Sequence, residues 1–203
     1  MLFRSEPLVL TPLPFPSNLF IEVSNLSVFY GVQKVLGPIS FQIKAGERLL
    51  VSGKNGSGKS TLLKLITGSH TDYTGLLRIK NGLVLSYLPQ DFSFLSGDLK
   101  NFAKQSDIDE TCLKTVLQKL GFSRSQFDLD MDQFSDGQKK KVLLARSLCQ
   151  KAHLYIWDEP LNYIDVISRI QIEELLLQSS FSMIFVEHDR AFSEKIATKI
   201  LNL

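Results

Sequence analysis

The nine residues 53–61, GKNGSGKST, constrain this chain more than any other stretch. They fit the pattern G-x-x-x-x-G-K-[ST], with Gly53, Gly58, Lys59 and Ser60 in the fixed places. Just before them runs ERLLVSG, an apolar strand-like segment. Just after them comes LLKLITG, apolar at helical spacing, with Gly68 placed as a C-terminal stop. In a strand, glycine loop and helix, the glycines let backbone N–H groups turn inward on a polyanion, and the helix N-terminus adds partial positive charge. The candidate phosphate-binding residues are therefore Gly53, Lys54, Asn55, Gly56, Ser57, Gly58, Lys59, Ser60 and Thr61. Lys59 is expected to reach the β- and γ-phosphates, and the Ser60 hydroxyl to ligate Mg2+.

The rest of the chain supplies the context that such a loop requires. At 203 residues, 44% hydrophobic and 22% charged, it is long enough for one two-sided α/β core. Leu19 to Tyr30 alternates like strands, Gly31, Gly37 and Pro38 mark a turn, and Ile39 to Ile43 reads as a further strand. LLRIK, then Asn81-Gly82, then LVLSYLPQ predicts a hairpin, since Asn-Gly favours a tight type I′ turn. Residues 91–134 change character and read as a mainly helical insert, with a helix around Ile108 to Leu120 stopped by Gly121. HLYIWDEP and SMIFVEHD are each an apolar strand ending in polar residues, separated by a helical stretch. Strands that alternate with helices and carry continuous apolar runs indicate a parallel sheet covered on both faces. Ligands then sit at the carboxyl ends of the strands, so Asp158-Glu159 and His188-Asp189 belong beside the glycine loop.

Other features exclude classes of function. A formal net charge of +2 is too small to argue for nucleic acid on its own. Cys112 and Cys149 lack metal-ligand spacing and suit reduced thiols in a cytoplasmic protein. No apolar run approaches the ~18 residues a membrane span needs. The first 16 residues carry Pro7, Pro12, Pro14 and Pro16 and do not read as a signal peptide. Residues 1–18 therefore read as an extended connector, and 19–203 as one domain.

Asp158 stands where a phosphate-loop site needs a second partner for Mg2+, and Glu159 follows it as the expected general base. With these motifs in order, the chain from Leu19 onward resembles an ATP-binding cassette (ABC) nucleotide-binding domain. That resemblance implies the ABC form of the P-loop NTPase fold: α/β, with a mainly parallel core, an antiparallel β subdomain and a short helical insert. It also implies ATP and Mg2+ as ligands. By the same resemblance, Tyr30 stacks on adenine, Gln90 senses Mg2+ and the attacking water, and His188 contacts the γ-phosphate. FSDGQ at 134–138 is similar to the family signature, so Ser135, Gly137 and Gln138 would reach ATP bound on an opposing cassette. Ser135 and Gln138 also form a capping box, and Asp136 replaces the usual first glycine, with its carboxylate expected to face away from the nucleotide.

EPLNYID at 159–165, the short insert, Lys139-Lys140-Lys141 and HDRAF resemble the ABC-F group, especially its antibiotic-resistance members that act on ribosomes. That resemblance implies a second cassette as partner, in trans or as a homodimer, and the ribosome or its RNA as target. The lysine run has two readings, attraction to rRNA phosphates or an ordinary solvated helix face. ABC-F proteins carry two cassettes, so this chain looks like the second cassette alone. A transporter motor with a membrane subunit is the alternative. Lys59→Ala is expected to abolish uptake of Mg-ATP by the folded protein in titration calorimetry, and unchanged uptake would refute the phosphate-loop reading.

Overall fold

The computed structural model describes residues 12–203. The expected connector thus lies partly outside the described residues, in 1–11. Its remainder is extended but docked: Leu13 N–H donates to Ala152 O at 2.9 Å, and the Phe15 ring meets Phe20 at 5.5 Å and His153 at 4.8 Å. Prolines on either side of Leu13 and Phe15 fix the backbone, which lets the two intervening residues anchor it.

Two sheets organise the fold. A three-stranded antiparallel sheet has the order β2-β1-β4, formed by β1 (Leu19–Tyr30), β2 (Gln33–Lys44) and β4 (Tyr73–Ile79). A five-stranded parallel sheet has the order β5-β6-β7-β3-β8, formed by β3 (Arg48–Ser52), β5 (Leu85–Leu88), β6 (Leu154–Asp158), β7 (Ser182–Val186) and β8 (Lys199–Asn202). Helix α1 (Lys59–Ile66) follows the glycine loop, and Gly68 ends it at φ +77°. Helices α2 (Leu99–Gln105) and α3 (Glu110–Lys119) make up the expected insert with two short 3-10 turns. Helices α4 (Asp136–Cys149), α5 (Val166–Gln178) and α6 (Arg190–Ile196) complete the parallel layer.

Side-chain alternation explains why both faces of the parallel sheet are covered. Along β6, Leu154 and Ile156 pack with α1 and the antiparallel sheet, whereas Tyr155 and Trp157 pack with the insert, α4 and α5. β7 divides the same way, Ile184 and Val186 against Met183 and Phe185. All ten residues of these two strands are buried, as a central parallel pair requires. Trp157 Nε1–H is satisfied by Ser147 Oγ on α4 at 2.8 Å. Both cysteines are free, and their side chains meet between α3 and α4.

Three expectations are corrected here. LLRIK and LVLSYLPQ do not form a hairpin, because β4 pairs with β1 while β5 pairs in parallel with β6. The Asn81-Gly82 turn exists, with Leu83 N–H on Lys80 O at 3.2 Å, but only Gly82 takes positive φ, so it is not type I′ and the strands diverge to different sheets. Gly37 and Pro38 lie within β2, not in a turn: β2 is an edge strand, which tolerates proline, and a Cβ on Gly37 would stand 2.1 Å from Leu26 O. The third concerns the lysine run. Lys140 is buried, and Lys141 pairs with Asp165 and donates to Leu120 O at 2.6 Å, so neither forms a solvated or RNA-facing surface.

Asp165 caps α5 by accepting from Ser168 N–H and Ser168 Oγ, both at 2.9 Å. Burial pushes its carboxyl up, but the Lys141 and Ser168 bonds outweigh that and hold it well below the usual carboxylate range. A depressed carboxylate gives stability that is present above its unfolded pKa, about 3.9, and is lost as pH falls toward the folded value. Asp165→Ala is therefore expected to cost about 1–2 kcal/mol in urea denaturation at pH 7. The gap to wild type should narrow below about pH 4.

Candidate active site

The glycine loop is shaped by residues that cannot carry a side chain where they stand. Gly56 and Gly58 have φ of +79° and +94°, and a Cβ on Gly53 would lie 2.5 Å from Ser57 Oγ and 2.9 Å from Leu203 O. Gly58 is the N-cap of α1 and supplies no side-chain hydrogen bond, so the first N–H groups of the helix point at the cavity without a capping side chain. Lys59 folds its Nζ onto Gly53 O at 2.9 Å and Lys54 O at 3.0 Å.

The cavity in front of this loop has a volume of about 540 Å3. Val35 lines it, together with Asn55, Gly56, Gly58, Lys59, Ser60 and Thr61 from the loop side. Gln90, Glu159 and His188 line it from the opposite wall. Each of these three lies just beyond a parallel strand, β5, β6 and β7 respectively, so strand polarity alone brings them together.

Glu159 is the centre of that wall. Its carboxylate accepts from Gln90 Nε2 at 2.7 Å, meets His188 Nε2 at 3.3 Å and accepts from Asn162 Nδ2. Its backbone has φ +49°, a left-handed conformation costly for a non-glycine residue, and its N–H donates to Val186 O at 3.0 Å. Behind it, Asp158 is 1% exposed. Burial raises the Asp158 carboxyl above its usual range, while the Ser60 hydroxyl and the cation of Lys140 pull the other way and Glu159 adds to the rise. Asp158 Oδ1 is buried with no hydrogen-bond partner in the protein. A buried carboxylate beside the Ser60 hydroxyl, with one oxygen left without a partner in the protein, fits the all-oxygen donor set of Mg2+.

The other expected site residues stand apart. Tyr30, at the end of β1, is half exposed and packs its ring against His70 at 4.6 Å, outside the cavity lining. Ser135 caps α4 and Gly137 and Gln138 lie in its first turn, likewise outside that lining. The capping box is present: Gln138 N–H donates to Ser135 Oγ at 3.3 Å, and Ser135 N–H to Gln138 Oε1 at 2.8 Å. Asp136 is exposed at the first position of the helix.

Sequence reasoning overlooked three groups. Asn162 was legible only as part of EPLNYID, yet it bonds the Glu159 carboxylate. Glu187 accepts from the N–H groups of Leu161, His188 and Asp189 at 3.1, 2.7 and 3.2 Å, tying the loops after β6 and β7 together; its signal was an acid directly at a strand end. Lys140 carries a buried ammonium that burial pushes down to about 8 against the opposing pull of Asp158, Glu159 and Glu187. Nothing in a run of three lysines distinguishes the buried one.

A glycine loop at a helix N-terminus, a buried aspartate beside the helix serine and a carboxylate directly after it at the end of the same strand define a P-loop nucleoside triphosphatase. Comparison with known proteins narrows the class. The sequence model described as ABC transporter matches residues 36–162. The zinc import ATP-binding protein ZnuC of Ehrlichia chaffeensis is 33% identical over 188 residues, which span 88% of this chain and 77% of that protein. The ribosome protection protein VmlR of Bacillus subtilis is 32% identical over 181 residues, 87% of this chain but 32% of that protein. Among solved structures, the ATP binding subunit of an ABC transporter superposes with a TM-score of 0.80 at 24% identity, covering 91% of this chain and 85% of that one. The chain belongs to the ABC family and is one of its ATPase domains.

Gly137 has a reason to be glycine inside its own chain. A Cβ there would meet Tyr163 O at 2.7 Å, so the first turn of α4 rests directly on the loop that follows Glu159. Gly137→Ala must displace one backbone segment or the other, and it is expected to lower stability by about 1–3 kcal/mol in thermal or urea denaturation. A variant as stable as wild type would show that the close approach is not needed.

Proposed function

We propose that this chain is an ATP-hydrolysing cassette of ABC-F type that works as half of a head-to-tail pair in ribosome protection or translation. The backbone N–H groups of residues 53–61, with Lys59, bind the β- and γ-phosphates of ATP, and Tyr30 stacks on the adenine. Ser60, Gln90 and Asp158 would hold Mg2+, which when bound neutralises charge on those phosphates. Glu159 accepts the proton of the attacking water as general base, held in place by Gln90 and Asn162, and His188 faces the γ-phosphate. A second cassette, another chain or another copy, supplies Ser135, Gly137 and Gln138 across the site. ATP thus favours the closed pair, and hydrolysis with product release reopens it.

The single observation that carries the ABC-F reading is the 159–165 segment, EPLNYID, whose Asn162 reaches the proposed base. Similarity to VmlR supports it. Lys140 and Lys141 of the lysine run do not, because they are spent on internal bonds. The competing reading, a motor subunit for a separate membrane protein, is favoured by similarity to ZnuC over 77% of that protein's length. Among the described residues no helix is long and apolar enough to cross a membrane.

Glu159→Gln is expected to retain ATP binding, slow turnover by at least about a hundredfold and trap the closed pair, seen by gel filtration with ATP. Turnover and association that match wild type would overturn the base assignment. The ATP-locked variant should sediment with ribosomes, and less so as salt rises. Sedimentation with membrane vesicles instead would favour the transporter reading.

A further inference from the structure

The parallel ladder between β5 and β6 runs in register from Leu85 opposite Leu154 to Leu88 opposite Trp157, and there it stops. The next residue on β5 is Pro89, which has no N–H to continue it. The next on β6 is Asp158. Beyond this last rung the two chains carry, one residue later, Gln90 and Glu159, whose side chains are bonded at 2.7 Å. Something must keep the two backbones in register where the ladder no longer does.

Lys140 stands at that place. It lies on α4, one turn below Ser135 and Gly137, and is 1% exposed. Its Nζ donates to Pro89 O at 3.2 Å and to Asp158 O at 3.1 Å. A single ammonium thus bridges the two carbonyls directly upstream of Gln90 and Glu159. Burying an ammonium is costly unless its donors are used, and a neutral long side chain would fill the same volume more cheaply, so a lysine here is not explained by packing. We propose that Lys140 is a positioning residue for hydrolysis, replacing the missing ladder rung and fixing the spacing between the backbones that present Gln90 and Glu159. This rests on the roles proposed for those two residues. The lysine also fastens that pair to the helix whose first turn serves the opposing cassette in the same reading.

The test compares Lys140→Met, which keeps the volume and loses the donor, with Lys140→Gln, whose amide can still donate to carbonyls. Steady-state ATP turnover, binding of a fluorescent ATP analogue with and without Mg2+, and the thermal midpoint are measured on the full chain. The expected result is a Lys140→Met kcat at least tenfold below wild type, with KM and analogue affinity within twofold, and a Lys140→Gln kcat within threefold of wild type. In a Gln90→Ala background, Lys140→Met should cost less than threefold more, because the element it positions is gone. Lys140→Met turnover within twofold of wild type overturns the proposal. So does a loss of kcat matched by an equal loss of analogue affinity, which would mark general damage to the fold. If Lys140→Met does not fold, Lys140→Gln decides: tenfold slower turnover with a native midpoint overturns the proposal, and turnover within threefold of wild type supports it, since the donor to the two carbonyls is what separates the two variants. Glu159→Gln keeps the two readings apart, since a chain that needs Glu159 but not Lys140 loses only this inference.

Discussion

The fold depends on five strands pointing the same way. Parallel pairing of β5, β6, β7, β3 and β8 puts every carboxyl end on one edge, so the glycine loop, Gln90, Glu159 and His188 converge without any long-range contact chosen for that purpose. The cost of parallel pairing is that both faces of the sheet must be covered. The alternating sets Leu154/Ile156 and Tyr155/Trp157 meet that demand from opposite layers. Packing and site geometry therefore follow from the same period of two.

How much of this was legible in the sequence depended on how local each signal is. The glycine loop, Asp158, Glu159 and His188 could be read because each is a short pattern whose neighbours fix its context: an apolar strand before it, a polar end after it. The Asn81-Gly82 turn was equally local, yet its consequence was not. Whether the flanking strands pair with each other is settled by β1 and β6, dozens of residues away, so a correct turn led to a wrong hairpin. Pro38 misled in the same manner, since a proline breaks a central strand but not an edge, and edge position is a property of the whole sheet. Lys140 was the least legible: its neighbours on either side have the same side chain, and only the approach of Pro89 and Asp158 makes it different.

The loop after Glu159 gathers several otherwise separate demands within a few residues. Asn162 turns back to the carboxylate, the Tyr163 carbonyl packs against Gly137 where a Cβ would clash, and Asp165 starts α5 and pairs with Lys141 of α4. Arg169 fastens the same loop by donating to Ile164 O and Leu161 O at 2.9 and 3.1 Å. Glu159 and Tyr163 both sit at positive φ, which shows how tightly the surroundings dictate the backbone there. The carboxylate of Glu159 and the start of α4 are thus held by one short connector.

The uncapped start of α1 has a further consequence. Helix beginnings ordinarily draw part of their stability from a serine, threonine or aspartate of their own chain, and here Gly58 supplies none. An anion bound to those N–H groups would supply it instead, so the affinity of the loop for its ligand and the resistance of the domain to unfolding are linked quantities: each tenfold excess of ligand over its dissociation constant adds about 1.4 kcal/mol. Heat tolerance of such a protein is consequently set in part by the metabolic state of its surroundings rather than by its residues alone.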